Sequence, residues 1–206
     1  MLGHGIPQRR YALSVKAAKP GALAPPVSYT FLWNDRGSGA DSDVTLYKMN
    51  APWGYTCLGD IAVNSYYVKP DLGLYRCVKN EYLVQGRIFQ QIWKDNGSGA
   101  DLDGSVWEVS KTLLDVDGID GSHFVANGNW QQPSRSVMLL RGNNNRVQSA
   151  WSVPKTEEFP LNVYEVHDFN LVWTDRGSGG RYDVSIWRPQ TTETQVCTLW
   201  NTQKNV

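Results

Sequence analysis

A twelve-residue segment that occurs three times constrains this chain more than any other feature. The copy Trp33-Asn34-Asp35-Arg36-Gly37-Ser38-Gly39-Ala40-Asp41-Ser42-Asp43-Val44 aligns without a gap with residues 93–104 and 173–184, and all three share Trp-x-Asp-x-Gly-Ser-Gly. The likeness extends upstream to an aromatic four residues before each Trp (Tyr29, Phe89, Phe169) and downstream to Thr45-Leu46-Tyr47, Ser105-Val106-Trp107 and Ser185-Ile186-Trp187. The copies start 60 and 80 residues apart. That period is too long for a solenoid coil and suits a small multi-stranded unit used three times.

Each unit reads as a hairpin. Tyr29, Phe31 and Trp33, like Phe169, Leu171 and Trp173, fall on alternate positions, the period of a half-buried strand. Gly-Ser-Gly supplies backbone freedom for a wide turn, and aspartates at either end can bond its amides. Second strands are expected at 44–48, 105–109 and 184–188, with further strands at 56–63, 74–78, 124–126, 137–141 and 195–200. No amphipathic stretch of helical length competes. The expected fold is all-β: a β-prism of three similar antiparallel sheets with pseudo-threefold symmetry, apolar faces inward and repeat loops at one end. A propeller would need four or more blades.

Composition bounds the rest. The 206 residues can bury a core unaided, and 20 Lys and Arg balance 20 Asp and Glu, which argues against nucleic acid as a partner. The balance is uneven, because residues 1–34 carry Arg9, Arg10, Lys16 and Lys19 and no acid. With its Ala, Gly and Pro content, this predicts a flexible basic arm or leader at 1–26 and a single prism domain over 27–206. Apolar runs are too short to form a transmembrane segment. Three cysteines and the lack of an apolar N-terminal signal region point to a reducing compartment, hence a cytoplasmic chain peripheral to membranes. Cys57 and Cys77 are expected as buried structural thiols.

The tripled motif, with Asp183-Val184-Ser185-Ile186-Trp187-Arg188-Pro189, Tyr55-Thr56-Cys57-Leu58-Gly59-Asp60-Ile61-Ala62-Val63 and Ser122-His123-Phe124-Val125-Ala126, resembles the vacuolar protein sorting-associated protein 62 family over roughly residues 27–190. The resemblance implies a β-prism-like module with a trafficking association and no established chemistry. Related prisms include membrane-associating and lectin domains. Repeat three departs from the others, with Gly180-Arg181 in place of Ala-Asp.

An enzyme is not expected. The chain has no Gly-x-Ser-x-Gly, His-Glu-x-x-His, phosphate-loop or Cys-x-x-Cys motif, and His4, His123 and His167 are scattered. The loops carry the functional expectation. Asp35, Gly37, Gly39 and Asp43, with Asp95, Gly97, Gly99 and Asp103, and with Asp175, Gly177, Gly179 and Asp183, form the candidate ligand-binding set. Carboxylates would accept from vicinal sugar hydroxyls while glycine-freed amides donate, and each Gly-x-x-x-Asp is similar to the carbohydrate loop of jacalin-type prisms. Three weak sites at one end would add avidity on a glycan or membrane surface. Other readings stand beside this one. Asp35, Asp41 and Asp43, with Asp95, Asp101 and Asp103, offer the density for calcium in a calcium-dependent membrane-targeting domain. Arg36, Arg176 and Arg181, with an exposed Trp53, would suit lipid head groups. A structural or protein-interaction scaffold, in which the same acids only shape turns, is the plainest alternative.

Overall fold

The computed structural model describes residues 11–112, 117–120, 123–142, 147–148, 160–191, 197–198 and 201–205, with 147–148, 197–198 and 201–205 as backbone. The fold is all-β. Each repeat builds one three-stranded antiparallel sheet at the loop end. The first joins β3 (Ser28–Asn34), β4 (Thr45–Asn50) and β6 (Asp60–Val63). The second joins β8 (Leu83–Lys94), β9 (Ser105–Lys111) and β11 (Phe124–Asn127). The third joins β15 (Phe169–Thr174), β16 (Asp183–Pro189) and β18 (Asn201–Asn205).

A second layer lies below. There β2 (Leu23–Ala24), β7 (Cys77–Lys79) and β5 (Tyr55–Thr56) pair side by side. The start of β8 pairs with β12 (Met138–Arg141), which pairs with β10 (Gly118–Ile119). In the third repeat β14 (Leu161–Val166) pairs with β1 (Ala12–Ala17), which pairs with β17 (Cys197–Thr198), while β13 (Val147–Gln148) lies parallel on the other edge of β14. The first strand of each repeat thus spans 23–34, 83–94 and 163–174, the same offsets as the motif. It is continuous in repeat two and interrupted at Pro25-Pro26 and at His167-Asp168. Proline has no amide to donate to a ladder, which accounts for the first break.

β1 takes in repeat three the place that β7 and β12 take in repeats one and two. Residues 12–17 therefore close the last sheet, which departs from the expectation of a flexible arm over that part of 1–26, while residues 1–10 of the expected arm lie outside the described residues. Ala12, Leu13 and Val15 are 0–1% exposed, and β1 pairs with β14 along all six residues. Ser14, which shares a face with Ala12 opposite Leu13 and Val15, is buried too. With both faces covered, the strand lacks the polar alternation that would have announced it.

Two further departures have local causes. The expected alternation of Tyr29, Phe31 and Trp33 fails because a β-bulge shifts register between Phe31 and Trp33, and again between Leu171 and Trp173. The bulge turns the repeat Trp inward and leaves Phe31 44% and Leu171 50% exposed. The strand expected at 56–63 divides into β5 and β6 at Gly59, which has φ +72° and passes so close to Phe124 O that a Cβ would lie 2.8 Å from it. Cys57 and Cys77, expected as separate thiols, are bonded to each other. Disulfides persist where conditions are oxidising, so these two cysteines do not point to a reducing compartment.

The core follows the layers. At the loop end Trp33, Trp93 and Trp173 stand at its centre with Leu46, Val106, Phe124, Val184 and Ile186. Below, Leu13, Val15, Val78, Leu83, Leu140, Leu161 and Val163 gather from all three repeats. Val84, Val109, Val125, Val137 and Leu139 form a satellite cluster within the second repeat.

Candidate functional site: the loop end

The three loops converge on an axis marked by the three tryptophans. Their rings stand edge to face, with centroids 5.3, 6.1 and 5.7 Å apart, the arrangement aromatic quadrupoles prefer. Each indole N–H must find an acceptor once buried, and each finds it in a neighbouring loop. Trp33 Nε1 donates to Leu102 O at 2.7 Å. Trp93 Nε1 donates to Asp175 Oδ2 and Tyr182 O. Trp173 Nε1 donates to Asp35 Oδ2 and Ser42 O. The backbone returns the bond at every junction: Asp101 N donates to Arg36 O, Arg181 N to Asn96 O, and Asp41 N to Arg176 O. These eight hydrogen bonds close a ring around the axis.

Within each loop the motif residues have separate tasks. Asp35, Asp95 and Asp175 are 1%, 4% and 4% exposed. Their Oδ1 atoms accept the amides of Val44, Gly104 and Val184 at 2.8–2.9 Å, pinning the far end of each turn. Ser38, Ser98 and Ser178 are buried, and their hydroxyls accept the amides of Ala40, Ala100 and Gly180. The flanking glycines all have positive φ. Gly37 shows why a side chain is excluded there: a Cβ would stand 2.6 Å from Asp101 Oδ1 and 3.0 Å from Gly99 O, in addition to the cost of φ +87°.

The candidate set therefore divides in two. Asp35, Asp95 and Asp175 are buried and committed to turns and indoles. Gly37, Gly39, Gly97, Gly99, Gly177 and Gly179 lie exposed around the axis, ringed by exposed Asp43 and Asp103 and by half-buried Asp183. The three inner aspartates do not join the outer ones as ligands of one ion. Among the described residues no three His, Cys, Asp or Glu side chains gather in a way that could hold a metal.

Two aromatic neighbours were not singled out for this site by the sequence. The Tyr66 hydroxyl bonds Asp35 and Asp43, and burial, followed by those acids, holds its proton on well above the usual tyrosine range. Arg36 stacks 5.0 Å from the Tyr66 ring and 5.9 Å from that of Tyr67. In repeat two Trp130 Nε1 donates to Asp95 Oδ1 at 2.6 Å, while Lys94 lies 5.2 Å from its ring. Tyr66 and Trp130 follow β6 and β11 at corresponding places, but their differing identities hide the correspondence from any motif. Burial raises the Asp35 carboxyl above its ordinary value, offset in part by its bonds to the Val44 amide, Tyr66 and Trp173. Loop one thus carries Arg36, Tyr66 and Tyr67, loop two Lys94, Trp130 and exposed Leu102, and loop three Arg176, Arg181 and Tyr182.

Exposed Trp53 does not belong to this surface. It follows Asn50 at the end of β4 remote from loop one, and is 98% exposed. Cys197 and Trp200, whose positions the sequence placed in a strand, and Trp151 lie outside the residues whose side chains are described. No helix among the described residues is long and apolar enough to cross a membrane.

A family model described as vacuolar protein sorting-associated protein 62 matches residues 7–160, a span that includes β1 and the first two copies of the motif. No curated protein matches the chain. Among solved structures, the crystal structure of GNIP1Aa from Chromobacterium piscinae resembles it with a TM-score of 0.62 at 20% identity. The match covers 96% of this chain and 34% of that one, so the chain spans about a third of its neighbour's length. At that identity the likeness shows the fold.

Proposed function

We propose that the chain, which belongs to the vacuolar protein sorting-associated protein 62 family, is a non-enzymatic binding module that recognises glycans at its loop end. The observation that carries this reading is the outer ring: three loops at one end present glycine backbone, carboxylates and aromatic rings together. Sugars are met by such mixtures, with carboxylates accepting from hydroxyls and amides donating to ring and hydroxyl oxygens. Rings beside the acids, Tyr67 at 79% exposure above all, offer apolar faces to the C–H side of a pyranose.

The charge balance of this end favours a glycan over an anionic lipid surface. Exposed Asp41, Asp43, Asp101 and Asp103, with half-buried Asp183, outnumber Arg36, Arg176 and Arg181 with half-buried Lys94 by five to four. A leaflet rich in anionic head groups attracts the opposite balance. Trp53, the natural interfacial anchor, is at the other end of β4, so it cannot serve the same contact. Trafficking enters this reading through the ligand: a glycan-bearing surface would be the address.

A glycan array probed with the full chain, with and without calcium, tests the proposal. Binding to a defined group of glycans in either condition is expected, and a dependence on calcium would add a cation to the outer ring. Silence in both conditions overturns the glycan reading.

A further inference from the structure

Between the first and second sheets lies a cleft of about 440 Å³ whose lining includes Lys48, Asp60, Arg135 and Ser136. It stands apart from the loop end, and no repeated motif marks it. Its interest comes from a break in the symmetry. Lys48 on β4 pairs with Asp60 on β6, and the equivalent pair in sheet two is Glu108 with Phe124. Phe124 is 0% exposed and Asp60 is 1% exposed. Where the scaffold's own pattern accommodates an apolar ring, sheet one places a carboxyl.

Such a substitution costs the fold, because a buried charge must be paired and its remaining lone pairs satisfied. The pairing is incomplete. Asp60 Oδ2 accepts from the Ala126 amide at 2.7 Å and from Arg135 Nη2. Asp60 Oδ1 and Arg135 Nε are buried with no hydrogen-bond partner among the described residues. An ion pair serving only to bridge two sheets would be expected to close its own bonds, and buried groups left open beside a cleft call for a partner that can enter it. The Arg135 side chain is 22% exposed and Lys48 is exposed, so two cations face a single carboxylate across the cleft. An oxyanion restores the balance, and the charge excess is opposite in sign to that of the loop end.

We propose that this cleft binds a small anionic polyol, a phosphate or carboxylate carried on a hydroxylated skeleton. Lys48 and Arg135 hold the oxyanion, Arg135 through charge-assisted bonds. Asp60 and the Ser136 hydroxyl take the polyol's hydroxyls. The same chemistry occurs in a free sugar acid or polyol phosphate and in the glycerophosphate of a lipid head group. The site is independent of the loop-end reading, since neither uses a residue of the other.

The test is an NMR titration of the full chain with inorganic phosphate, glycerol 3-phosphate and glucuronate, following the Arg135 Nε–H and the amides of residues 48, 60, 135 and 136. Saturable shifts at these positions are expected, with at least one polyol binding more tightly than inorganic phosphate. Lys48→Ala should weaken that binding about tenfold, the loss of one charged contact, while leaving the melting temperature unchanged. Arg135→Lys, which keeps the charge and loses the fork, should weaken it as well. Sedimentation with phosphatidylcholine vesicles containing phosphatidylglycerol separates the two sources. Co-sedimentation lost in Lys48→Ala assigns the head group, and a chain that stays in the supernatant while binding glycerol 3-phosphate assigns the free solute. Absence of saturable shifts with all three probes, or shifts that persist undiminished in Lys48→Ala, overturns the proposal. Equal affinity for inorganic phosphate overturns the polyol part of it.

Discussion

At the loop end, position 35 is met again at 95 and 175, and every copy is a buried aspartate that pins a turn. At the start of β6, position 60 is met again at 124, and there the carboxyl is replaced by a phenylalanine. The first region repeats because its residues answer a requirement set by the symmetry itself: three strands approach one axis, three indoles need acceptors, and three turns must let their backbones pass. The second region departs from the pattern where no such requirement operates. Repetition in this scaffold therefore marks what closes the fold, and recognition is to be sought in what the repeats carry outside that closure.

The largest effect should come from breaking the repeated region at its centre. Trp173→Ala removes a side chain 1% exposed, and comparable core truncations cost about 4 kcal/mol. It also removes the indole donor to Asp35 Oδ2 and Ser42 O. Urea unfolding should show the transition displaced to lower denaturant by that amount. A displacement of a few tenths of a kcal/mol would mean that the axis does not hold the sheets.

A pH dependence sharpens the asymmetric side. His123, one position before Phe124, is packed against Gly59, one position before Asp60. Burial, offset in small part by the Met138 backbone, lowers its pKa from 6.5 to about 4. A base whose pKa is lowered by folding supports the fold fully above its unfolded value and ceases to as pH falls. Stability should therefore drop by about 3 kcal/mol as pH goes from 6.5 to about 4. Asp35 and Asp60, whose carboxyls are raised by burial, act in the opposite sense above their ordinary value of 3.8. The difference between wild type and His123→Gln isolates the histidine, and its thermal midpoints compared across this window should lose the slope. An unchanged slope in the variant would remove His123 from the account.

A smaller effect tests the passage of one loop past another. Gly37→Ala forces a Cβ against Asp101 Oδ1 at positive φ and should cost about 2 kcal/mol in thermal unfolding. Gly54→Ala serves as the control: its φ is +82° but a Cβ there meets nothing within 4 Å, so it carries the backbone cost alone. Equal losses in the two variants would show that conformation, and no inter-loop contact, accounts for the glycine at 37.

The sequence made the tripled motif, the strand class and the clustering of loops at one end legible, because each depends on residues close together in the chain. Trp33, Asp35 and Gly37 declare their relation within five residues. What it left hidden depends on distance or on two-sided burial. β1 is covered on both faces, so Ala12-Leu13-Ser14-Val15 shows no polar alternation. The bulge before each Trp is invisible to a period-two count, which put Phe31 and Trp33 on one face. Asp60 and Arg135 are 75 residues apart and meet only because loop 128–137 docks on sheet one. Spacing groups the inner aspartates with the outer ones, because it cannot distinguish a carboxylate turned into the axis from one turned to water.

That last distinction carries the whole account, and the double variant Asp43→Ala with Asp103→Ala tests it most directly. Both residues are exposed, and the Tyr66 hydroxyl that bonds Asp43 keeps its bond to Asp35, so the two changes should together cost about 1 kcal/mol. The decisive measurement is the glycan-array signal of the variant, read on protein shown to be folded. The predicted result is loss of the signal from a folded chain. A signal retained at the wild-type level would contradict the assignment of recognition to the outer ring.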